Sequence, residues 1–322
     1  MYLMPLLAIL VGFIILVWSA DRFVIGASAT AFHLGVSPLV VGIVIVGFGT
    51  SAPEMLVSAM AALDGNGNLS IGNALGSNIT NVGLILGITA LFYPLVVRSR
   101  IIRREIPLLF FVMLVALFLM SDGKLSLLDG IILASGFVAV LLLALHEAAT
   151  SKDDTLAQEF QAEIPPAVSN KAALMWLIVG IVLLVASSRL LVWGAVEIAE
   201  LLGITDLIIG LTIVAIGTSL PELAATVVAA RKQEYDIAVG NVVGSNLFNL
   251  LGVLAFPGLL SPGSFDPAVL VRDYPVMIAL TFLLLIFASN YSMRKEGEIN
   301  RVEGAILLSI YIGYMIYLAA TA

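Results

Sequence analysis

The chain has 322 residues, 61% of them hydrophobic and 11% charged, with a mean hydropathy of +1.11. A soluble domain runs nearer half apolar and a quarter charged, so an ordinary water-soluble globule is excluded and a membrane protein is indicated. The absence of cysteine rules out disulfides and thiol chemistry, two distant histidines (His33, His146) leave no His-rich zinc site, and a net charge of −7 argues against nucleic acid as a partner.

A spanning helix needs about 20 mostly apolar residues. Ten such stretches follow one another near 3–33, 38–62, 69–95, 103–121, 125–147, 171–201, 206–230, 236–258, 271–291 and 301–320. The expected fold is therefore an all-α polytopic membrane protein of ten transmembrane helices. The first stretch carries no Lys or Arg before Arg22, so it reads as a membrane helix rather than a signal peptide. The first and sixth are long enough to run tilted. If the ten stretches alternate in direction, 12 of the 15 Lys and Arg fall on one side, at Arg22, 98–104, Lys152, Lys171, 231–232 and 294–301. Only Lys124, Arg189 and Arg272 fall on the other, so the basic side faces the cytoplasm and both termini face outward.

Self-comparison is more informative still. At an offset of 168, residues 42–81 align without gaps on 210–249, with 16 of the 40 positions identical. The same offset pairs Leu34-Gly35 with Leu202-Gly203, Arg104-Glu105 with Arg272-Asp273, and Pro107 with Pro275. A six-residue shift then aligns Asp129-Gly130 with Glu303-Gly304. The expected organisation is a first five-helix repeat over 1–147 (signature 42–87), an acidic cytoplasmic linker over 148–170, and a second repeat over 171–322 (signature 210–255). Five is odd, so the second repeat enters the membrane inverted. Two inverted repeats are the mark of a transporter with its site at the midplane between them.

The first repeated motif is Gly49-Thr50-Ser51-Ala52-Pro53-Glu54, matched by Gly217-Thr218-Ser219-Leu220-Pro221-Glu222. Proline inside a helix removes one backbone bond and clashes with the carbonyl a turn earlier, so each helix should break there and free carbonyl oxygens. Those oxygens stand beside Thr and Ser hydroxyls and a carboxylate, an all-oxygen set suited to hard cations such as Ca²⁺ and Na⁺. An isolated charge at mid-bilayer depth costs about 3 kcal/mol on insertion scales, which marks Glu54 and Glu222 as functional. The second motif runs from Gly72 to Asn81 and again from Gly240 to Asn249. It places Asn73, Ser77 and Asn81 along one helical face, and Asn241, Ser245 and Asn249 along the other. Asn73 and Asn241 read equally as helix packing or as ligands; Ser77, Ser245, Asn81 and Asn249 read as ligands.

These doubled motifs resemble the cation/Ca²⁺ exchanger superfamily, and most of all its compact ten-helix prokaryotic sodium/calcium exchangers. The resemblance covers essentially the whole chain. It implies exchange of Ca²⁺ for Na⁺ by alternating access at one shared midplane cluster, in the inner or plasma membrane. By position it implies Glu54 and Glu222 as central carboxylates and backbone carbonyls of Thr50 and Thr218 for Ca²⁺. It places Ser51, Ser77, Ser219 and Ser245, with the carbonyls of Gly47 and Ala215, at flanking Na⁺ positions, and Asn81 and Asn249 at the centre. Asn249 is a departure, since several relatives carry Asp there. The site is then −2 with both glutamates ionised, which argues against K⁺ co-transport. Carboxylates buried so close can also share a proton, so a H⁺-coupled cation antiporter of the same fold is the alternative.

No cofactor is expected, the transported ions are Ca²⁺ and Na⁺, the lipid bilayer is the surrounding partner, and a single chain is expected to suffice. The polar stretch 146–171 has no EF-hand spacing and reads as a solvated linker. An intramembrane enzyme would need a nucleophile, histidine or ligand set beside the glutamates, and the sequence shows none. A passive channel would not require a symmetric pair of carboxylates.

Overall fold

The computed structural model describes residues 2–33, 50–97, 104–150, 168–231, 233, 235–289 and 297–321. Its helices are α1 (Leu3–His33), α2 (Ala52–Leu63), α3 (Gly67–Phe92), α4 (Ile106–Met120), α5 (Leu127–Thr150) and α6 (Asn170–Leu202). They continue as α7 (Asp206–Thr218), α8 (Leu220–Arg231), α9 (Tyr235–Phe248, prolonged through Asn249–Val253 and Ala255–Leu260), α10 (Tyr274–Ala288) and α11 (Arg301–Thr321). Seven of these are long and apolar enough to cross a membrane, and eight if α7 and α8 form one bent span. The chain is thus a multi-pass helical membrane protein. Of the stretch expected at 38–62, residues 38–49 lie outside the described residues, and α2 forms most of the rest.

The repeat recurs in the helix boundaries. α4 and α10 begin and end 168 residues apart, as do Gly67–Thr80 and Tyr235–Phe248. α5 and α11 begin 174 residues apart, which is the six-residue shift read from the sequence. The short strands obey it too. β1 (Leu95–Val97) pairs antiparallel with β4 (Gly297–Ile299), and β2 (Lys124–Leu125) with β3 (Gly263–Ser264). The first pair ties the end of α3 to the start of α11, and the second ties the end of α9 to the start of α5. The two strand pairs therefore link the halves to each other.

α3 and α9 form the centre, with 78% and 72% of their apolar windows buried, against 11% for α5 and 28% for α11. That difference explains composition. α3 carries Asn73, Ser77, Asn78, Thr80 and Asn81 fully inside the protein, whereas α5 and α11 present Leu, Ile and Val outward. α1 and α6 lie antiparallel along one flank. A Cβ on Gly12 would come within 3.1 Å of Leu191 Cβ, and one on Gly180 within 2.8 Å of Phe23 Cβ. These two contacts are each other's equivalents in the repeat, and they use small residues to bring two backbones together where no hydrophobic driving force acts. The Arg22 guanidinium lies over the edge-to-face pair of Trp18 and Trp176, 5.6 and 5.2 Å from their ring centres, which offsets part of the cost of burying its charge.

Candidate functional site

Each Gly-Thr-Ser-x-Pro-Glu motif produces the same local break. Ser51 has φ −87° and ψ 3°, and Ser219 has φ −85° and ψ 8°, a non-helical bridge conformation at both equivalent positions. Pro221 supplies no N–H to the turn before it, and α7 and α8 meet there at 44°. The glutamates follow at once, in the first turns of α2 and α8. A helix N-terminus carries partial positive charge, so each half-helix points its favourable end at its own carboxylate.

The two motifs meet in the middle of the molecule. Ser219 Oγ donates to Glu54 Oε1 at 3.2 Å, and Ser51 Oγ donates to Glu222 Oε1 at 3.2 Å. Each serine therefore holds the glutamate of the opposite half. Ser245 closes a triangle on one side, 3.3 Å from Ser51 Oγ and 3.4 Å from Glu222 Oε1. Glu54 and Glu222 are both 0% exposed. Below each carboxylate, an asparagine fixes the backbone: Asn73 Nδ2 donates to Glu54 O at 3.1 Å and Ser58 Oγ at 2.8 Å. Asn241 Nδ2 does the same to Glu222 O at 3.5 Å and Thr226 Oγ1 at 3.1 Å. Asn73 thus resolves as a residue that positions Glu54. Ser58 and Thr226 were not singled out in the sequence, although a hydroxyl four residues after each glutamate repeats at the same offset.

Of the twelve residues expected at the site, eleven are described and Gly47 lies outside the described residues; hydrogen bonds join Ser51 and Ser245 to Glu222 and Ser219 to Glu54. The Thr218 hydroxyl is engaged with Asn73 Oδ1 at 3.1 Å and with the carbonyls of Val214 and Ala215 at 3.1 and 3.3 Å. Its carbonyl is then what Thr218 offers an ion. Ala215 O also accepts from Ser219 N at 3.1 Å, so helical bonding already occupies that carbonyl. Asn81 and Asn249 each open a π-helical turn, a distortion common at functional sites. Five buried side-chain oxygens among the expected residues have no hydrogen-bond partner: Glu54 Oε2, Glu222 Oε2, Ser77 Oγ, Asn81 Oδ1 and Asn249 Oδ1. Buried acceptors without donors are what an oxygen-coordinated cation would satisfy.

Comparison with known proteins decides the family. A family model described as sodium/calcium exchanger protein matches residues 4–146 and 172–320. The chain belongs to the sodium/calcium exchanger family. CaxA of Alkalimonas amylolytica is 49% identical over 95% of this chain and 96% of its own length. Inner membrane protein YrbG of Escherichia coli (strain K12) is 40% identical over 97% of this chain and 94% of its own. A solved structure of the sodium-calcium exchanger NCX_Mj, soaked with Na⁺ and Sr²⁺, superposes with a TM-score of 0.65 at 32% identity, covering 98% of this chain and 99% of that one. The family is one of transporters, within the cation/Ca²⁺ exchanger superfamily.

Proposed function

We propose that this protein is a secondary active antiporter that exchanges Ca²⁺ for Na⁺ by alternating access, with Glu54 and Glu222 as the central ligands. The observation that carries the reading is the reciprocal pairing of Ser51 with Glu222 and Ser219 with Glu54. It puts both carboxylates in one buried cluster at the seam between the halves. Thr50, Thr218, Ser77, Ser245, Asn81 and Asn249 add neutral oxygens around them. The cluster carries −2 with both glutamates ionised, which one Ca²⁺ or a set of Na⁺ neutralises. Bare, it is costly in an apolar slab, so the empty site reorients slowly and only the loaded site crosses. An inward Na⁺ gradient and a membrane potential worth about 2.3 kcal/mol per charge per 100 mV then expel Ca²⁺.

The same proposal makes the chain ten membrane crossings in two inverted repeats, 1–147 and 171–322, joined by a cytoplasmic linker over 148–170. Support comes from the recurrence of helix bounds at 168 residues and from the antiparallel contact of the equivalent helices α1 and α6. The 12 to 3 distribution of basic residues sets both termini outward in the inner or plasma membrane, and one chain is the working unit.

The test is ⁴⁵Ca²⁺ uptake into proteoliposomes loaded with Na⁺ and diluted into Na⁺-free buffer. Uptake should be robust with the outward Na⁺ gradient and fall to background with equal Na⁺ on both sides. Uptake driven instead by a pH gradient without Na⁺ would make this a H⁺-coupled exchanger at the same site. Uptake indifferent to both gradients would point to a channel and overturn the reading.

A further inference from the structure

The halves present the same polar residues but bond them differently. Asn81 Nδ2 donates to Asn246 Oδ1 at 3.0 Å. The equivalent pair, 168 residues on for one partner and back for the other, is Asn249 with Asn78. That bond is not made. Both amide atoms of Asn249 and the carbonyl oxygen of Asn78 have no partner, and Asn78 Nδ2 is turned to Met277 Sδ at 3.5 Å. A thioether is a weak acceptor. The position equivalent to Met277 is Leu109, which offers Asn246 no acceptor at all. All four asparagines and Met277 are at most 2% exposed, so a lost amide bond is not replaced by bulk water.

The asymmetry extends through the centre. Ser245 sits in the closed triangle with Ser51 and Glu222, whereas Ser77, its equivalent, has no partner. One repeated sequence holding a one-sided network has a second network available, in which the halves exchange roles. The two networks share no residue, so their alternation comes from the halves exchanging conformations and not from rivalry for one bond.

We propose that Asn78 and Asn246 form a two-position latch between the halves. Asn246–Asn81 is closed in the conformation seen here, and Asn78–Asn249 closes when the site faces the other side. Neither residue is needed as an ion ligand; they are positioning residues that set which face is open. Met277 adds a bias, since it gives Asn78 an acceptor while the latch is held by Asn246. This inference rests on the alternating-access reading above.

The test uses purified protein in proteoliposomes of one known insertion orientation. Exchange of ⁴⁵Ca²⁺ for Ca²⁺, without Na⁺, is titrated separately in the outer and luminal solutions, and the ratio of the two half-saturating concentrations reports the balance of the two states. Asn246→Ala removes the bond of this state and should move the ratio about fivefold in one direction, the population change expected of one buried hydrogen bond. Asn78→Ala should move it the opposite way, and the double variant should return it to within about twofold of the starting value. Met277→Leu should move it in the same direction as Asn246→Ala. Leucine already stands at the equivalent position 109, so this variant carries the test even where alanine at 246 impairs folding. Shifts in one common direction, or none, in a protein that still exchanges Ca²⁺ would overturn the latch alone. Absence of any Ca²⁺ exchange in the unaltered protein would overturn the latch together with the antiport reading.

Discussion

Glu222→Gln is expected to reduce Ca²⁺ transport by about a hundredfold or more, with Glu54→Gln equal in effect. Glutamine keeps the size of the side chain and an acceptor oxygen, so the donors Ser51 and Ser245 retain their partner. What is lost is one of the two charges in a cluster that is 0% exposed. Breaking a buried charge pairing of this kind costs about 3–5 kcal/mol, equivalent to a hundredfold or more in affinity. The control is thermal unfolding. The variant's midpoint in Ca²⁺-free buffer should not fall, because removing an uncompensated buried charge relieves desolvation. The rise in midpoint that Ca²⁺ gives the parent protein should disappear, since stabilisation follows ligand occupancy. Full transport by either variant would show that the paired carboxylates are not the site.

Both glutamates stood out in the sequence for a physical reason, since a carboxylate within an apolar span is expensive and recurs at the same offset, and both are fully buried. The helix ends were legible because proline, glycine and charge interrupt hydrophobic runs, as at Pro107 and Pro275 in the first turns of α4 and α10. The π-helical turns at Asn81 and Asn249 were not, since one inserted residue per turn leaves no mark on hydropathy. The break at Ser219 between α7 and α8, inside the stretch 206–230, was legible from Pro221. Least legible was the division of labour among the amides. Spacing placed Asn73 and Asn81 on one face of α3, yet Asn73 braces the backbone of Glu54 while Asn81 reaches the other half. That difference depends on what packs opposite each residue, and a single chain's periodicity holds no record of it.

The site also depends on how closely α3 and α7 cross. A Cβ built on Gly210 would lie 2.5 Å from Leu69 O, 3.0 Å from Asn73 N and 3.0 Å from Gly72 Cα. A Cβ on Gly72 would lie 2.5 Å from Leu207 O and 3.1 Å from Gly210 Cα. All of these neighbours are backbone, so no rotamer change relieves the clash and the helices must separate. Overpacking of this kind costs about 1–3 kcal/mol, and Gly210→Ala should lower the unfolding midpoint by about 5 °C. The displacement falls on α3 at Asn73, which holds Glu54 O, so Ca²⁺ affinity should weaken with stability. Gly72→Ala should behave alike. The double variant should be little worse than either single one, because one displacement of α3 makes room for both methyl groups. Gly313 on α11 provides the contrast: a Cβ there meets nothing within 4 Å. Gly313→Ala should leave the midpoint unchanged or raise it slightly, since alanine is favoured over glycine within a helix by about 0.5–1 kcal/mol. Equal midpoints for Gly210→Ala and Gly313→Ala would show that the α3–α7 crossing is looser than described and that Asn73 does not depend on it.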